Sequence, residues 1–491
     1  MSSTAGRWVV AVTVLGSAMA AIDSTVVGIA LPAIGGDFHL SVSSLQWVVS
    51  AYLLTLAGLL LVGGSLGDRY GRRRVFLIGV VCFAATSLVC AVAPDAAVLI
   101  GGRALQGVGA ALLTPGSLAI LRASFVPDDQ GRAVGAWSGL GGVATAVGPF
   151  LGGFLISAAS WRFIFVINLP IAALVVVMAT RHVPETTDPD AAGPVDIPGA
   201  VLVCVGLVGL TAGIIEAPVH GWSSAPVTAA LVAGVLLLGA FLVVESRTAH
   251  PLLPLWLFRS SQFNATNGVT FLVYAALSGA LFLLPIELEQ VSHYSPLEAG
   301  ISLLPLTFIM LAFSSRSGAL ATRIGPRLQM TMGPVLVGAG MILFRLVGPT
   351  GTYATEVLPA IVVLGAGLAL TVAPLTTTAL TSVTADHAGI ASAVNNDVAR
   401  TGGLVAVAVL PVVAGITGAS YLHPSAFDAG FRTAVLVAGV VAAGGGLLSA
   451  ALIRNPGRDR PGRPAPAPAP SYCALEAPPL AVAAPSTTAA S

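Results

Sequence analysis

The chain has 491 residues, of which 56% are hydrophobic and 9% are charged, and its formal net charge is +1. An ordinary soluble domain carries roughly 25% charged residues, so this composition excludes a water-soluble globule, and its apolar content excludes a disordered chain. All 22 basic residues are arginine. A phosphate-binding loop of the GK[ST] type needs a lysine, so no such ATP-binding motif is present. The composition predicts a polytopic membrane protein.

Fourteen segments are long and apolar enough to cross a hydrocarbon core as helices. The predicted spans are 8–34, 45–66, 75–94, 97–121, 132–157, 161–180, 199–217, 225–245, 263–285, 297–315, 328–348, 356–378, 395–418 and 431–454. Segment 250–263, between spans eight and nine, is apolar and flanked by arginines, so we expect it to lie along the membrane surface. The tail after Arg454 is rich in proline and alanine, which predicts a disordered extension.

The placement of arginine predicts the orientation. If the N-terminus is cytoplasmic, 18 arginines fall in cytoplasmic loops, tails or adjoining helix ends, three fall outside, and Arg103 lies within a span. Membrane proteins carry such an excess of basic residues on the cytoplasmic side. We therefore expect a multi-pass protein of the cell membrane with both termini in the cytoplasm.

An internal repeat relates the two ends of the chain. The stretch from Gly64 to Arg73 and the stretch from Gly318 to Arg327 share Gly, Leu, Arg, Gly and Arg in register, 254 residues apart. Duplication of a six-helix unit, with two helices inserted between the copies, explains this offset. Parallel repeats of this kind are typical of transporters that rock around a central site.

Several stretches resemble one family, the major facilitator superfamily, and within it the fourteen-helix drug:proton antiporters. The resemblance rests on a first-helix motif, a loop signature, a fourth-helix motif, an antiporter-type fifth-helix motif and a sixth-span motif, at 22–32, 64–74, 102–110, 148–153 and 161–170. It implies an all-α polytopic membrane protein with the major facilitator fold, which has two six-helix bundles and here two inserted transmembrane helices. The implied division is 1–180 for the first bundle, 181–262 for the inserted helices and an amphipathic linker, 263–454 for the second bundle, and 455–491 for a disordered cytoplasmic tail.

The resemblance also implies a function. We expect proton-coupled efflux of lipophilic drugs or antibiotic-like metabolites by alternating access, with no enzymatic activity, no cofactor and the proton gradient as the energy source. The expected partners are a small lipophilic substrate and protons. We expect no nucleic-acid partner, no metal site and a monomer.

Asp23 and Arg103 are the predicted proton-coupling residues. Counted along their spans, both lie at a similar depth in the hydrocarbon core. Buried charges are costly unless paired or hydrated, so we expect the two side chains to face a shared cavity. In one interpretation Asp23 gains and loses a proton under the influence of Arg103, and in the other the two form a fixed structural ion pair.

Two further groups of residues are candidates. The resemblance implies conformational roles for Gly64, Asp68, Arg69, Gly71, Arg73, Gly148, Pro149 and Gly152. The close spacing of glycines in span five also predicts that this helix approaches its neighbours closely. Candidate substrate-binding residues are Gln46, Tyr52, Trp137, Tyr274, Asn395, Asn396 and Asp397. Aromatic residues suit a pocket for lipophilic substrates, but in membrane helices they also pack or anchor at interfaces.

Two other functions are compatible with the same sequence. An uptake symporter or uniporter for a polar solute would share the fold, although the stretch at Gly148 and Pro149 argues against it. A non-transporting membrane sensor is a hypothesis of another class, and the direction of flux, or its absence, discriminates among the three. The sequence does not identify the substrate, since a fold does not by itself define a function.

Overall fold

The computed structural model describes residues 4–188, 195–349, 352–384, 387–418, 420 and 423–455. This part of the chain is predominantly α-helical and contains no β-strand. The α-helices are α1 (Thr4–Phe38), α2 (Val42–Tyr70), α3 (Arg72–Ala91), α4 (Ala96–Ser124), α5 (Pro127–Ala158), α6 (Phe163–Val166), α7 (Asn168–His182), α8 (Ile197–His220), α9 (Ala225–Arg247), α10 (Ser261–Gln290), α11 (Pro296–Ser302), α12 (Leu304–Ile324), α13 (Pro326–Leu343), α14 (Leu358–Thr381), α15 (Ala388–Val413) and α16 (Pro424–Leu452).

These helices form 14 candidate membrane spans, which confirms the predicted number. Two spans consist of two consecutive helices, α6 with α7 and α11 with α12. The first six spans and the last six spans form two six-helix bundles, and α8 and α9 are the inserted pair. The inserted α8 packs against α2 of the first bundle and α15 of the second. The structure describes residue 455 of the predicted tail, and residues 456–491 lie outside the described part of the chain.

One end of the helices carries most of the arginines. The ends of α2, α4 and α9 and the starts of α3 and α10 all lie at this end, because successive spans run in opposite directions. We call this end, which holds Arg69 to Arg74, Arg122, Arg247 and Arg259, the arginine-rich face.

The junction between α2 and α3 is shorter than predicted. The predicted spans leave residues 67–74 as the connection, but α2 continues to Tyr70 and α3 begins at Arg72. Gly71 alone separates the helices, and its φ of 110° is a conformation that residues with a Cβ rarely adopt. A single glycine therefore makes the turn between two membrane helices.

We expect Gly71→Ala to lower the thermal unfolding midpoint of the purified protein. A methyl group would add backbone strain of about 1–3 kcal/mol, and it would stand 2.8 Å from the carboxylate carbon of Glu185. Gly67→Ala is the matched control, because its Cβ would meet nothing closer than 3.9 Å. Equal midpoints for the two variants would contradict the assigned role of Gly71.

Two other boundaries differ in ways that matter for function. The tenth span was predicted to end at 315 but α12 continues to Ile324, and the thirteenth was predicted to begin at 395 but α15 begins at Ala388. The apolar run at 388–394 lies between polar residues on both sides and is too short to indicate a span by itself, although alanine is the best helix former. Arg316, just beyond the predicted end of span ten, therefore lies inside a helix, and Arg400 lies 12 residues from the start of α15 rather than five residues from the start of the predicted span. Asp397 lies in the third turn of α15, so it does not cap this helix.

The linker between α9 and α10 packs against α9 and α15. It contains a short 3-10 helix, Leu255–Arg259, in which Leu257 is buried against Ala391 and Val394 of α15. The backbone N–H of Leu253 donates to Glu245 of α9 at 3.0 Å. The expectation of a segment lying only on the membrane surface was incomplete, because its apolar side covers the end of the second bundle.

Candidate functional site

Asp23 forms the centre of a buried polar network. Asp23 and Arg103 are each 1% exposed, and Nη1 of Arg103 donates to the Asp23 carboxylate at 2.5 Å. Nε2 of Gln106 and Nδ2 of Asn168 donate to the same carboxylate at 2.8 and 3.1 Å. Both amides also donate to Oγ of Ser87, at 2.8 and 3.2 Å. The network thus joins α1, α3, α4 and α7 of the first bundle.

The Arg103 guanidinium has further partners within the first bundle. Its Nε donates to the carbonyl of Val48 at 3.2 Å, and its Nη1 donates to Oε1 of Gln106 at 2.7 Å. The ring of Tyr52 lies 4.3 Å from the guanidinium carbon, within the range of a cation–π contact. Charge pairing and hydrogen bonds together offset the cost of burying both ions.

The structure brings Asp23 and Arg103 together, but neither side chain lines the central cavity between the two bundles. This differs from the expectation that both face a shared cavity. Ala20, Ala21 and Ser24 of α1 line the central cavity, while Asp23 points into the first bundle. The amides of Gln106 and Asn168 satisfy the carboxylate in place of water. A proton reaches Asp23 only if this packing opens.

A central cavity of about 1120 Å³ lies between the bundles. In the part of the cavity that is farther from the arginine-rich face, the wall includes Trp137 of α5, Tyr274 of α10, and Asn396 and Arg400 of α15. It extends to the arginine-rich face, where its described charged lining residues are Asp68, Arg69, Arg72, Arg122, Asp188 and, on the linker, the ionisable His250. The cavity is therefore open toward one face of the membrane and lined by both bundles.

The opposite face is closed by backbone contact between the bundles. A Cβ on Gly153 of α5 would stand 2.3 Å from the carbonyl oxygen of Pro296, and a Cβ on Gly300 of α11 would stand 2.2 Å from that of Pro149. Elsewhere on this face, Nε2 of Gln46 donates to the carbonyl of Val407 at 2.7 Å. Only glycine permits so close an approach of two helix backbones.

The predicted close packing of α5 is correct for one part of the helix. A Cβ on Gly148 would stand 1.9 Å from Oγ1 of Thr25 on α1. A Cβ on Gly152 would stand 3.0 Å from Cγ1 of Val26 on the same helix. By contrast, a Cβ on Gly135, Gly139, Gly141 or Gly142 would meet nothing within 4 Å. The stretch around Pro149 therefore holds α5 against both bundles, whereas the earlier glycines flank open space.

The junction of α2 and α3 is held by charges within the first bundle. Arg72 donates from Nε to Asp68 at 2.7 Å. The Glu185 carboxylate accepts from the backbone N–H groups of Arg73 and Arg74 at 3.0 and 3.1 Å, so it caps the start of α3. Nη1 of Arg73 donates to the carbonyl of Val183 at 2.9 Å. These described bonds tie α2, α3 and the segment after α7 into one unit.

The candidate substrate residues divide into two groups. Trp137, Tyr274 and Asn396 line the cavity. The other four do not line it: Tyr52 lies under Arg103, Gln46 is bonded to α15, Asn395 donates to Asn267 and Thr270, and Asp397 lies on another side of α15. Asn395 is 7% exposed and its amide connects α15 to α10. In this structure it holds helices together.

Sequence reasoning missed two ionisable residues. Arg400 lines the cavity, which the shorter predicted span concealed. Glu287, near the end of α10, is 0% exposed, and neither carboxylate oxygen has a hydrogen-bond partner among the described residues. The hydropathy of its neighbours Leu284 and Ile286 was the available signal, since a short apolar run around an acid favours burial.

A two-bundle helical membrane protein, with a central cavity open to one face and closed at the other, is a transporter fold. Residues 13–408 of this chain match a family model described as Major Facilitator Superfamily. The chain belongs to this superfamily.

Curated relatives carry names of resistance and export proteins. The tetracenomycin C resistance and export protein of Streptomyces glaucescens is 36% identical over 400 residues, covering 81% of this chain and 74% of the relative. The puromycin resistance protein of Streptomyces alboniger is 36% identical over 441 residues, covering 88% of this chain and 86% of the relative. The multidrug resistance protein Stp of Mycobacterium tuberculosis H37Rv is 34% identical over 414 residues, covering 84% and 76%.

Solved structures agree on the fold. A bacterial homologue of the human lysosomal transporter Spinster, in an inward-facing and unoccupied conformation, has a TM-score of 0.63 at 16% identity, covering 92% of this chain and 98% of that chain. A peptide transporter in complex with sulfate also gives a TM-score of 0.63, at 15% identity, covering 92% and 96%. The relatives and the fold together indicate a transporter rather than an enzyme.

Proposed function

We propose that this protein exports lipophilic drugs or antibiotic-like metabolites across the cell membrane in exchange for protons. The names of its relatives support resistance or export as the biological role. The predicted excess of arginine on one side supports a cytoplasmic position for the arginine-rich face and for both termini. In that orientation the cavity is open to the cytoplasm, the side from which an exporter collects its substrate.

The observation that carries the proton-coupling proposal is the buried pair of Asp23 and Arg103. A carboxylate in the interior of a membrane protein is costly and marks a functional site by default. Here the Asp23 carboxylate and Nη1 of Arg103 lie 2.5 Å apart, so the two side chains form a close pair in the conformation whose cavity faces the cytoplasm. Protonation of Asp23 would remove the negative charge and weaken the pair, so it would loosen the contacts of α1 with α4.

The proposed cycle follows from these two states. With the cavity open to the cytoplasm, Asp23 is ionised and the substrate enters. Rocking of the bundles then separates the contacts around Gly153 and Gly300 and opens the cavity to the outside, where the substrate leaves and a proton reaches Asp23. Return of the protonated transporter to the first state releases that proton to the cytoplasm, with the proton gradient as the only energy source required.

Flux in everted membrane vesicles tests this proposal. We expect vesicles that contain the protein, given an acidic interior and no ATP, to accumulate tetracenomycin C, puromycin or another drug from a panel based on the relatives. An uncoupler should abolish this accumulation, and vesicles without the protein provide the control. Accumulation in right-side-out vesicles under an inward proton gradient would instead indicate an uptake symporter. Binding of a drug without flux in either direction would indicate a sensor.

A further inference from the structure

One face of α15 lines the central cavity. Gly389, Ala393, Asn396 and Arg400 all contribute to its wall. They recur every three or four residues, which is the spacing of one helix face. Arg400 lies deepest of these, because it follows the first residue of α15, Ala388, by roughly 18 Å along the helix axis.

Arg400 places a cation in the cavity wall, and its described electrostatic neighbour of opposite charge is Asp397, three residues earlier on the same helix. Within the described part of the chain it forms no ion pair and no hydrogen bond. The nearest acid in sequence, Asp397, does not line the cavity, and its Oδ1 has no hydrogen-bond partner among the described residues. An ionised side chain inside a membrane protein that faces a water-filled cavity marks a path for a ligand or an ion.

The other described charges of the cavity do not cancel that of Arg400. Four arginines line it, at 69, 72, 122 and 400, against the aspartates 68 and 188. Arg72 is bonded to Asp68 at 2.7 Å near the arginine-rich face. The deep part of the cavity therefore presents a cation between aromatic walls, and a positively charged substrate would be repelled there.

The rest of the deep wall suits an aromatic or aliphatic frame. Tyr274 and Trp137 line it, and the indole nitrogen of Trp137 is already occupied as a donor to Ser17 at 3.0 Å. The Nδ2 of Asn396 donates to the carbonyl of Ser392 at 2.9 Å, which leaves its Oδ1 to accept from a ligand. The cavity volume of about 1120 Å³ is enough for a drug-sized molecule.

We propose that the transported substrate is a lipophilic organic anion and that Arg400 binds its carboxylate or sulfonate group. This inference rests on the proposed function of substrate export and names the substrate class. The guanidinium fork donates two parallel hydrogen bonds to a carboxylate or sulfonate, which is the geometry such anions favour. Tyr274 and Trp137 contact the apolar frame, while the arginines near the arginine-rich face attract the anion toward the cavity.

Two probes that share one aromatic frame test the assignment. Anilinonaphthalene sulfonate carries a sulfonate, whereas N-phenylnaphthylamine is its neutral counterpart, and tetraphenylphosphonium is a lipophilic cation. Equilibrium dialysis against purified protein in nanodiscs measures the affinity for each. We expect Arg400→Gln to weaken sulfonate binding by about tenfold or more and to leave the affinity for the neutral probe unchanged. Binding of tetraphenylphosphonium should be weak in the native protein and stronger in the variant.

Control variants separate charge recognition from structural damage. Arg316→Gln removes an arginine of α12 that does not line the cavity, so it should change no affinity. Arg400→Lys keeps the charge without the planar fork, so it should bind the sulfonate with intermediate affinity. If Arg400→Gln does not fold, the sulfonate affinity of Arg400→Lys, compared with its affinity for the neutral probe, tests the assignment. Equal losses for the charged and neutral probes, or no loss for either, would overturn the assignment.

Vesicle flux distinguishes failure of this inference from failure of the proposed function. Selective binding of the anion without any flux would support Arg400 as an anion-binding residue and contradict export. If Arg400→Gln exports both the sulfonate and the neutral probe as fast as the native protein does, the anion preference is contradicted. The proposed export function would then stand.

Discussion

Asp23→Asn is expected to abolish pH-driven export while the protein still folds and inserts. Asparagine has nearly the same shape, and its side-chain oxygen can accept from Nε2 of Gln106 in place of the carboxylate. It cannot gain or lose a proton, so the substitution removes the coupling step and keeps most of the network. The measurement is drug accumulation in everted vesicles driven by an imposed pH gradient, together with the amount of folded protein in the membrane.

A second aspartate on the same helix provides the matched control. Asp37 accepts hydrogen bonds from Nη1 of Arg162 at 2.7 Å and from the indole of Trp161 at 3.0 Å, so it also pairs with an arginine. Its side chain is 44% exposed and lies at the far end of α1 from the arginine-rich face. Because water solvates this pair, Asp37→Asn should alter pH-driven export little. Equal loss of coupling in both variants would remove the special role of Asp23.

The alternative interpretation, a fixed structural ion pair, requires a second variant. Asp23→Asn alone leaves the Arg103 cation buried without its counter-ion, and breaking a buried pair in this way costs about 3–5 kcal/mol. The double variant Asp23→Asn, Arg103→Gln neutralises both members and retains hydrogen-bonding groups. If the pair is structural, the double variant recovers pH-driven transport. If Asp23 carries the proton, it folds and remains uncoupled.

Much of the architecture could be predicted because each span is a local property of the sequence. Twenty apolar residues are enough to define a membrane helix, and the depths of Asp23 and Arg103 follow from the helical rise. The partners of Asp23 could not be predicted in this way. Ser87 and Asn168 lie 64 and 145 residues from it in the chain, and only tertiary packing brings them to its carboxylate.

Errors at helix boundaries changed the interpretation of individual residues. The predicted start of α15 is too late, because the apolar run at 388–394 is short and is separated from the rest of the span by Asn395, Asn396 and Asp397. Seven missing residues are about two helical turns, or roughly 10 Å of depth. This shift moved Arg400 from the cavity wall to a boundary position, where an arginine needs no functional explanation. The residue that our substrate proposal depends on was therefore visible only in the structure.

Gly300→Ala is expected to shift the protein toward the state in which the cavity opens on the face opposite the arginine-rich face. The new methyl group would stand 2.2 Å from the backbone oxygen of Pro149, and the backbone cannot rotate away as a flexible side chain would. Overpacking of this kind typically costs about 1–3 kcal/mol. The cost applies only where α5 and α11 touch, so it should change the ratio of the two states by about 5- to 150-fold.

The accessibility of a single cysteine measures this shift. Ser24 lines the central cavity, so Ser24→Cys in a variant without the native cysteines reports which side reaches it. We expect Gly300→Ala to raise alkylation by a membrane-impermeant reagent from outside intact cells and to lower it in everted vesicles. Gly142→Ala is the control on α5, because its Cβ would meet nothing within 4 Å. Gly153→Ala should reproduce the effect of Gly300→Ala from the other helix, since its Cβ would stand 2.3 Å from a backbone oxygen of α11. Unchanged accessibility in both would mean that the α5–α11 contact persists in the outward-open state, and the rocking axis would then pass through these glycines.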